Sequence, residues 1–355
     1  MAFILPFIST MNKRKNLSLL GKSESTSINP SNPASYHTPF RPAWWLKNCH
    51  LQSIWSAYFR KNVELNSRKE RFELIDGDFI DAVWVGPKRG PIVVVLHGLE
   101  GSIESSYANA MLSAIENAGW RALFIHFRNC STSRNRLDRY YHIGDTGDIM
   151  NVLSIIRNRE PDVPLAGVGF SLGGNVLLKW LGEMGQNCPL LAGAAVSVPF
   201  KLATASDMAS RGLSKYYEKT LLSLMKKAIS KKFHDRKHPP IDITRVMNAR
   251  SFREFDDTVT APLHGFKDAG EYYQKSSSCF YLSGIRKPTL VIHAEDDPLV
   301  PPEAVPELSE FSKSTSVELY PYGGHLGFVS GNIPGVPEYW LEDRVIHYLK
   351  NFLPC

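Results

Sequence analysis

Residues 165–182 read LAGVGFSLGGNVLLKWLG, and this stretch decides the fold. Leu165 to Phe170 is apolar and short, as a buried strand should be, and Leu172 to Gly182 has the spacing of a helix. Between them Gly169-Phe170-Ser171-Leu172-Gly173 fits G-x-S-x-G. A serine on a sharp strand-to-helix turn stands with its Oγ exposed and a helix N-terminus behind it. Such a turn is crowded, which explains glycine two residues to either side. A glycine-rich βα turn with an incidental serine is the bland alternative. The strand before and the helix after favour a nucleophile.

Working outward, Ile92 to Leu96 is a continuous apolar run of the kind found in central parallel strands. Arg71 to Ile75 and Ile80 to Val85 read as a hairpin turning at Asp76-Gly77-Asp78. Helical patterns at about Ser105 to Ala118 and Asp145 to Arg159 alternate with strands at Ala122 to Phe127 and Leu191 to Val198. Strands resume at Thr289 to His293 and Ser316 to Tyr320, and Pro337 to Phe352 is predicted to close the chain as a helix. Repeated βα units imply a mainly parallel sheet with helices on both faces. The division expected is a flexible leader at 1–36, a core at 37–198, a helical insertion at 199–286 forming a cap, and the rest of the core at 287–355. The aromatic stretch from His37 to Trp55 is expected to wrap over the core.

The chain has 355 residues, 43% hydrophobic and 21% charged, with a formal net charge of +6. That is the composition of an ordinary globular protein, and the charge is too small for a nucleic-acid binder. Its five cysteines (Cys49, Cys130, Cys188, Cys279 and Cys355) form no CxxC pair. Neither a disulfide framework nor a metal site is expected, and a reducing cytoplasm is the natural location. The apolar run at the N-terminus precedes its positive charges, the wrong order for a secretory signal. Charge is concentrated locally: Lys201 to Arg253 holds 13 Lys/Arg against 4 Asp/Glu. Within it Tyr217, Leu221, Leu224, Met225 and Ala228 are placed on one helical face. An ordinary cap helix with solvated lysines is the favoured reading. A basic amphipathic helix making peripheral contact with the inner, anionic face of a membrane is the alternative. Apolar substrates are expected to enter beneath Tyr216, Tyr217 and Phe233.

A serine hydroxyl needs an adjacent base. Among 11 histidines, His325 lies in Tyr322-Gly323-Gly324-His325-Leu326-Gly327 after the last strand. In the chain order serine, acid, histidine, that is where the base belongs. His97 sits at the end of a buried strand beside Gly98, and His126 and His293 fall in strand patterns and read as core histidines. The acid should follow the preceding strand, where Glu295-Asp296-Asp297 offers three carboxylates. Asp297 is preferred, because turns of this type place the acid four residues before Pro301. Two backbone N–H groups are expected to receive the oxyanion, those of Leu172 and of Leu99 in His97-Gly98-Leu99-Glu100-Gly101.

Five stretches taken together resemble the α/β-hydrolase superfamily and, within it, the YheT-like branch. They are PFRPAWWLKNCHLQSIW near the start, HGLEGS at 97–102, FRNCSTSRNRLDRYYHIGDTGDI at 127–149, GFSLGGN at 169–175, and EDDPLVP followed by GGHLGF. The resemblance implies an α/β-hydrolase fold with a mainly parallel eight-stranded sheet and a helical cap insertion. It also implies esterase or lipase-like activity on a small-molecule or lipid ester, without cofactor or metal, and carries the triad over as Ser171, Asp297 and His325. One departure is Cys130-Ser131-Thr132-Ser133, where relatives tend to carry a glycine after the Cys-Ser pair; substrate shape is what this puts in question. A lipid- or partner-binding module without turnover is the rival reading, and retention of serine, acid, histidine and His-Gly turn speaks against it.

Overall fold

The computed structural model describes residues 38–354; the leader assigned to 1–36, and Cys355, lie outside them. Helix α1 (Cys49–Tyr58) leads into a hairpin of β1 (Ser67–Glu73) and β2 (Phe79–Val85), followed by β3 (Ile92–Leu96), α2 (Ser106–Asn117) and β4 (Arg121–Ile125). Then come α3 (Gly147–Arg159), β5 (Leu165–Phe170), α4 (Leu172–Met184) and β6 (Ala192–Val196). A helical insertion follows, comprising α5 (Leu202–Ala209), α6 (Ser214–Phe233), α7 (Ile243–Asn248), α8 (Phe252–Phe255), α9 (Ala261–His264) and α10 (Ala269–Ser276). The chain ends on β7 (Thr289–Ala294), β8 (Thr315–Tyr320), a small hairpin of β9 (Val329–Ile333) and β10 (Val336–Tyr339), and α11 (Trp340–Leu349).

Eight strands form one sheet in the order β1-β2-β4-β3-β5-β6-β7-β8. Only β2 runs against its neighbours; from β4 to β8 every pairing is parallel. Strands β3 to β7 are buried along their whole length, because helices cover both faces of a parallel sheet. Alternate residues feed two cores, as the pleat demands. Ile92, Val94 and Leu96 join Val152, Leu153, Val176 and Trp180 from α3 and α4. Val93 and Val95 join Met111, Leu112, Trp340 and Val345 from α2 and α11. This is the α/β-hydrolase fold, and its sheet delivers the C-terminal ends of β3, β5, β7 and β8 to one edge.

Three local expectations are corrected. Pro337 does not start the last helix but lies in β10, since Gly335 at φ +80° turns the chain back against β9. The prolines at 298, 301 and 302, whose place after the acid suggests the start of the next helix in the sequence, open none; short 3₁₀ turns at Pro302–Ala304 and Leu308–Glu310 follow instead, with Pro306 between them removing a backbone donor. The buried face of α6 is Glu218, Leu222, Met225, Ile229, Lys232 and Phe233, while Leu224 is exposed. Two charges turn inward because fixed partners await them. Glu218 accepts from the Ser210 hydroxyl and the Phe252 N–H, and the Lys232 amine donates to Asn129 Oδ1 and Leu137 O. Phe233 therefore belongs to the core, four turns from Tyr217, and cannot share a substrate opening with it.

A buried carboxyl sits in a π-turn at Asp256–Thr260. Asp256 accepts from the Thr260 hydroxyl at 2.6 Å and the Tyr273 hydroxyl at 2.8 Å, and burial pushes its pKa up to about 7. Its folded value is raised, so the folded state holds the proton more tightly than the unfolded chain. The stability this contributes is present at low pH and is lost as pH rises toward 7. Asp256→Asn should flatten that loss: between pH 5 and pH 8 the variant should lose about 2 kcal/mol less stability than the parent, read by denaturant melts at both pH values.

Candidate active site

The site is assembled at the turn after β5. Ser171 has φ 50° and ψ −116°, a strained backbone for a residue with a Cβ. The strain persists because its surroundings leave no alternative. A Cβ on Gly169 would stand 2.5 Å from Gly173 O, and one on Gly173 would strike Leu96 O and His97 O. Strand β3, the turn and α4 thus interlock through two missing side chains. Residues Leu172 to Leu181 of α4 are buried, so the helix N-terminus behind Ser171 is fixed, and its dipole favours negative charge there.

Ser171 Oγ lies 3.0 Å from His325 Nε2, and His325 Nδ1 lies 2.8 Å from Asp297 Oδ2. The three residues come from the ends of β5, β7 and β8, and the fold brings together the set expected from sequence. The other oxygen of Asp297 accepts from the N–H groups of Leu299 and Val300. Burial alone would raise the Asp297 pKa, but the His325 ring and these donors hold it below the ordinary carboxylate range. An ionised carboxylate only accepts, so His325 Nδ1 carries the proton and Nε2 presents its lone pair to the serine hydroxyl.

Asp296, the rejected neighbour, has a different task. Its Oδ1 accepts from the Gly324 N–H at 2.8 Å, one residue before His325, and burial pushes its pKa up to about 6. The His325 N–H donates to Ser53 Oγ at 2.8 Å, and Ser53 in turn donates to Cys49 O. Gln52 braces the next stretch, donating to Leu46 O and Val329 O while accepting from the Val329 N–H. The aromatic N-terminal segment therefore does more than wrap the core: its polar residues hold the histidine loop. Sequence reading missed this because Gln52 and Ser53 stand unremarked among tryptophans.

The loop after β3 lies against the serine: a Cβ on Gly98 would be 3.4 Å from Ser171 Cβ. The Gly98 N–H donates to the Tyr107 hydroxyl and the Glu100 N–H to the Tyr141 hydroxyl. Among the described residues no group accepts from the Leu99 N–H between them, nor from the Leu172 N–H. Glu100, at φ 51°, is clamped. Its Oε1 accepts from the Tyr140 hydroxyl at 2.5 Å and the Tyr141 hydroxyl at 2.8 Å, and both tyrosines are buried. They belong to the segment 127–149, which is anchored to the sheet edge by Arg128. That guanidinium is 2% exposed and contacts Asp148, Asp78 and Asp76; removing one partner of such a buried set typically costs about 3–5 kcal/mol. In the departing stretch Cys130-Ser131-Thr132-Ser133, Ser131 turns away to donate to Asp81.

His126 and His293, read as core, are buried, and so is His97. His97 Nε2 accepts from the Phe127 N–H, so Nδ1 carries the proton and donates to Gly98 O at 2.6 Å. Burial holds the pKa of His97 down at about 3 and that of His126 at about 4. His293 is likewise lowered by burial.

A sheet of this order with a serine, a histidine and a carboxylate converging at its C-terminal edge defines the hydrolases of α/β-hydrolase fold. The family model described as "alpha/beta hydrolase fold" matches residues 91–332, and the chain belongs to that family. Within it the chain stands in the YheT-like branch. YheT of Escherichia coli (strain K12), whose name proposes an esterase, is 37% identical over 91% of this chain and 96% of its own. The phospholipase ABHD3 of Mus musculus is 28% identical over 94% of this chain and 83% of its own, and a monoacylglycerol lipase of Saccharomyces cerevisiae 28% over 74% and 59%. An esterase from Pyrococcus furiosus shares the fold with TM-score 0.55 at 19% identity, covering 82% of this chain and 92% of its own.

Tyr141→Phe removes one of the two phenols on Glu100 and the acceptor of its N–H while leaving Ser171, Asp297 and His325 in place. If the Leu99 N–H beside Glu100 receives developing negative charge, ester turnover should fall about 10-fold in kcat with little change in KM. An unchanged kcat with a lowered melting temperature would mean that the clamp serves stability alone.

Proposed function

We propose that the chain is a serine hydrolase of carboxylic esters, lipid esters included, working through an acyl-enzyme. The observation that carries this reading is the strained Ser171 with its Oγ 3.0 Å from an imidazole whose other nitrogen is 2.8 Å from a buried, ionised Asp297. His325 Nε2 takes the hydroxyl proton as Ser171 Oγ attacks the ester carbonyl. Asp297 fixes the tautomer and stabilises the imidazolium that forms. The oxyanion of the tetrahedral intermediate is received by the N–H groups of Leu99 and Leu172, each typically worth about 2.7–4 kcal/mol. His325 then returns the proton to the leaving alcohol. Water, deprotonated by the same nitrogen, releases the acyl group and restores the serine.

The unpaired state of those two N–H groups supports the assignment, since the N–H groups of Gly98 and Glu100 are already occupied by tyrosine hydroxyls. We assign 199–286 the role of a cap between the core halves 37–198 and 287–355. Tyr217 joins it to α1, with its hydroxyl 3.1 Å from His50 Nδ1 and its phenol in the field of Asp297. A relative named phospholipase and one named monoacylglycerol lipase favour acylglycerol-like esters over peptides as the first class to try.

Turnover of p-nitrophenyl esters from short to long acyl chain should be abolished by Ser171→Ala, with a fall of about 10⁴-fold or more in kcat. A fluorophosphonate should label the parent and leave the variant unlabelled. Retention of activity by the variant, or a folded parent that neither turns over an ester nor takes the label, would sink the proposal.

A further inference from the structure

Helix α1 is built inside out. Its buried residues are all polar (Gln52, Ser53 and Ser56), whereas Tyr58 is 69% and Phe59 54% exposed, and Trp44 just before it is 61% exposed. A helix that faces only water buries its apolar side and solvates its polar one. The polar side is turned inward because it holds the His325 loop. That leaves Tyr58 and Phe59 outward at its end, Phe59 stacked on the half-buried Trp55 and Trp44 tied through its indole N–H to Asn332 O.

The α1 segment brings charge of one sign, with Arg60 paired to Glu342 at 2.8 Å. Residues 38–63 contain no Asp or Glu, and carry Arg41, Lys47, Arg60 and Lys61. Helix α6 continues the pattern. Between Asp207 and Asp235 the sole acid is Glu218, and it is buried. Lys215, Lys219, Lys227 and Lys231 are exposed, together with Leu213, Tyr216 and Leu224. The two elements meet where the His50 ring stacks on Tyr217, with centroids 5.7 Å apart and planes 13° from parallel.

We propose that this shared outer face of α1 and α6 docks the protein on an anionic lipid bilayer. Tyr, Trp and Phe side chains favour the depth of lipid headgroups, and each Lys or Arg near an anionic leaflet adds to the attraction. A protein partner fits less well, since lysine is depleted at protein interfaces. The same α1 that presents the aromatics also accepts the His325 N–H on Ser53 Oγ from its inner side, so docking on its outer side holds the His325 loop one helix away from the lipid. This deepens the lipid-ester reading and rests on it only for its purpose.

The test is co-sedimentation of the full chain, as Ser171→Ala, with vesicles of phosphatidylcholine alone or with about 30% phosphatidylglycerol, at low and high salt. Binding should be at least about 10-fold tighter with phosphatidylglycerol and should fall at high salt. Combining Tyr58→Ser, Phe59→Ser and Leu224→Ser should weaken it about 10-fold or more, while the same triple change with Ser171 intact keeps its melting temperature and its turnover of a soluble short-chain ester. Equal sedimentation with both vesicle types overturns the proposal, as does a triple variant that binds like its parent. A chain that dimerises without lipid, and is made monomeric by the triple change, overturns it in favour of a second copy. The docking and esterase readings fail separately: sedimentation is read without turnover, and soluble-ester turnover without vesicles.

Discussion

An imidazole suspended between a carboxylate and a hydroxyl works only if all three groups are fixed to within a fraction of an ångström. Here His325 sits on a loop, and a loop alone gives no such precision. The fold meets the constraint by tying that loop at both ends of a tripeptide. Asp296 takes the Gly324 N–H and Ser53 takes the His325 N–H, while the Leu326 N–H donates to Ser197 Oγ beyond β6. Three consecutive N–H groups thus find side-chain acceptors drawn from three separate elements. The ring's position follows from its backbone, and the backbone's from polar residues that never touch a reacting atom.

The same device recurs on the other side of the serine. Glu100 is held in a left-handed conformation by two buried phenols, and they are delivered by a segment pinned through Arg128 to the edge of the sheet. The strain at Ser171 and at Glu100 is opposed by burial around each, α4 in one case and Tyr140 and Tyr141 in the other. Local cost is thus borne by a well-packed scaffold, as at many catalytic sites.

Much of this was legible in the chain. The β5–Ser171–α4 turn declares itself because sterics leave glycine as the sole choice at 169 and 173. Strands β3 and β5 fall where their apolar runs place them, since a strand covered on both faces must be apolar throughout. The loops were harder. Asp296 and Asp297 are chemically alike in sequence, and what separates them is which one faces a histidine and which a backbone N–H. The face of α6 was misread by about a residue because leucines lie all round it, and because buried Glu218 and Lys232 look like solvent residues until their partners are known. Hairpin β9–β10 was hidden by the helical pattern that follows it. Ser53, Gln52, Tyr140 and Tyr141 act across long sequence separations that no local pattern reports.

The bond between Ser53 and His325 joins residues 272 positions apart. On a ribosome adding roughly 5–20 residues each second, Ser53 emerges about 15–55 s before its partner exists. Until then α1 has neither the histidine loop nor Val329 to receive its polar side. The His325 imidazole is therefore oriented only after residues 53 and 325 have both been made and their two distant parts of the chain have closed on each other. Contacts of such long range form late in folding, so the pairing of Ser171 with His325 records that both of these distant segments have found their places.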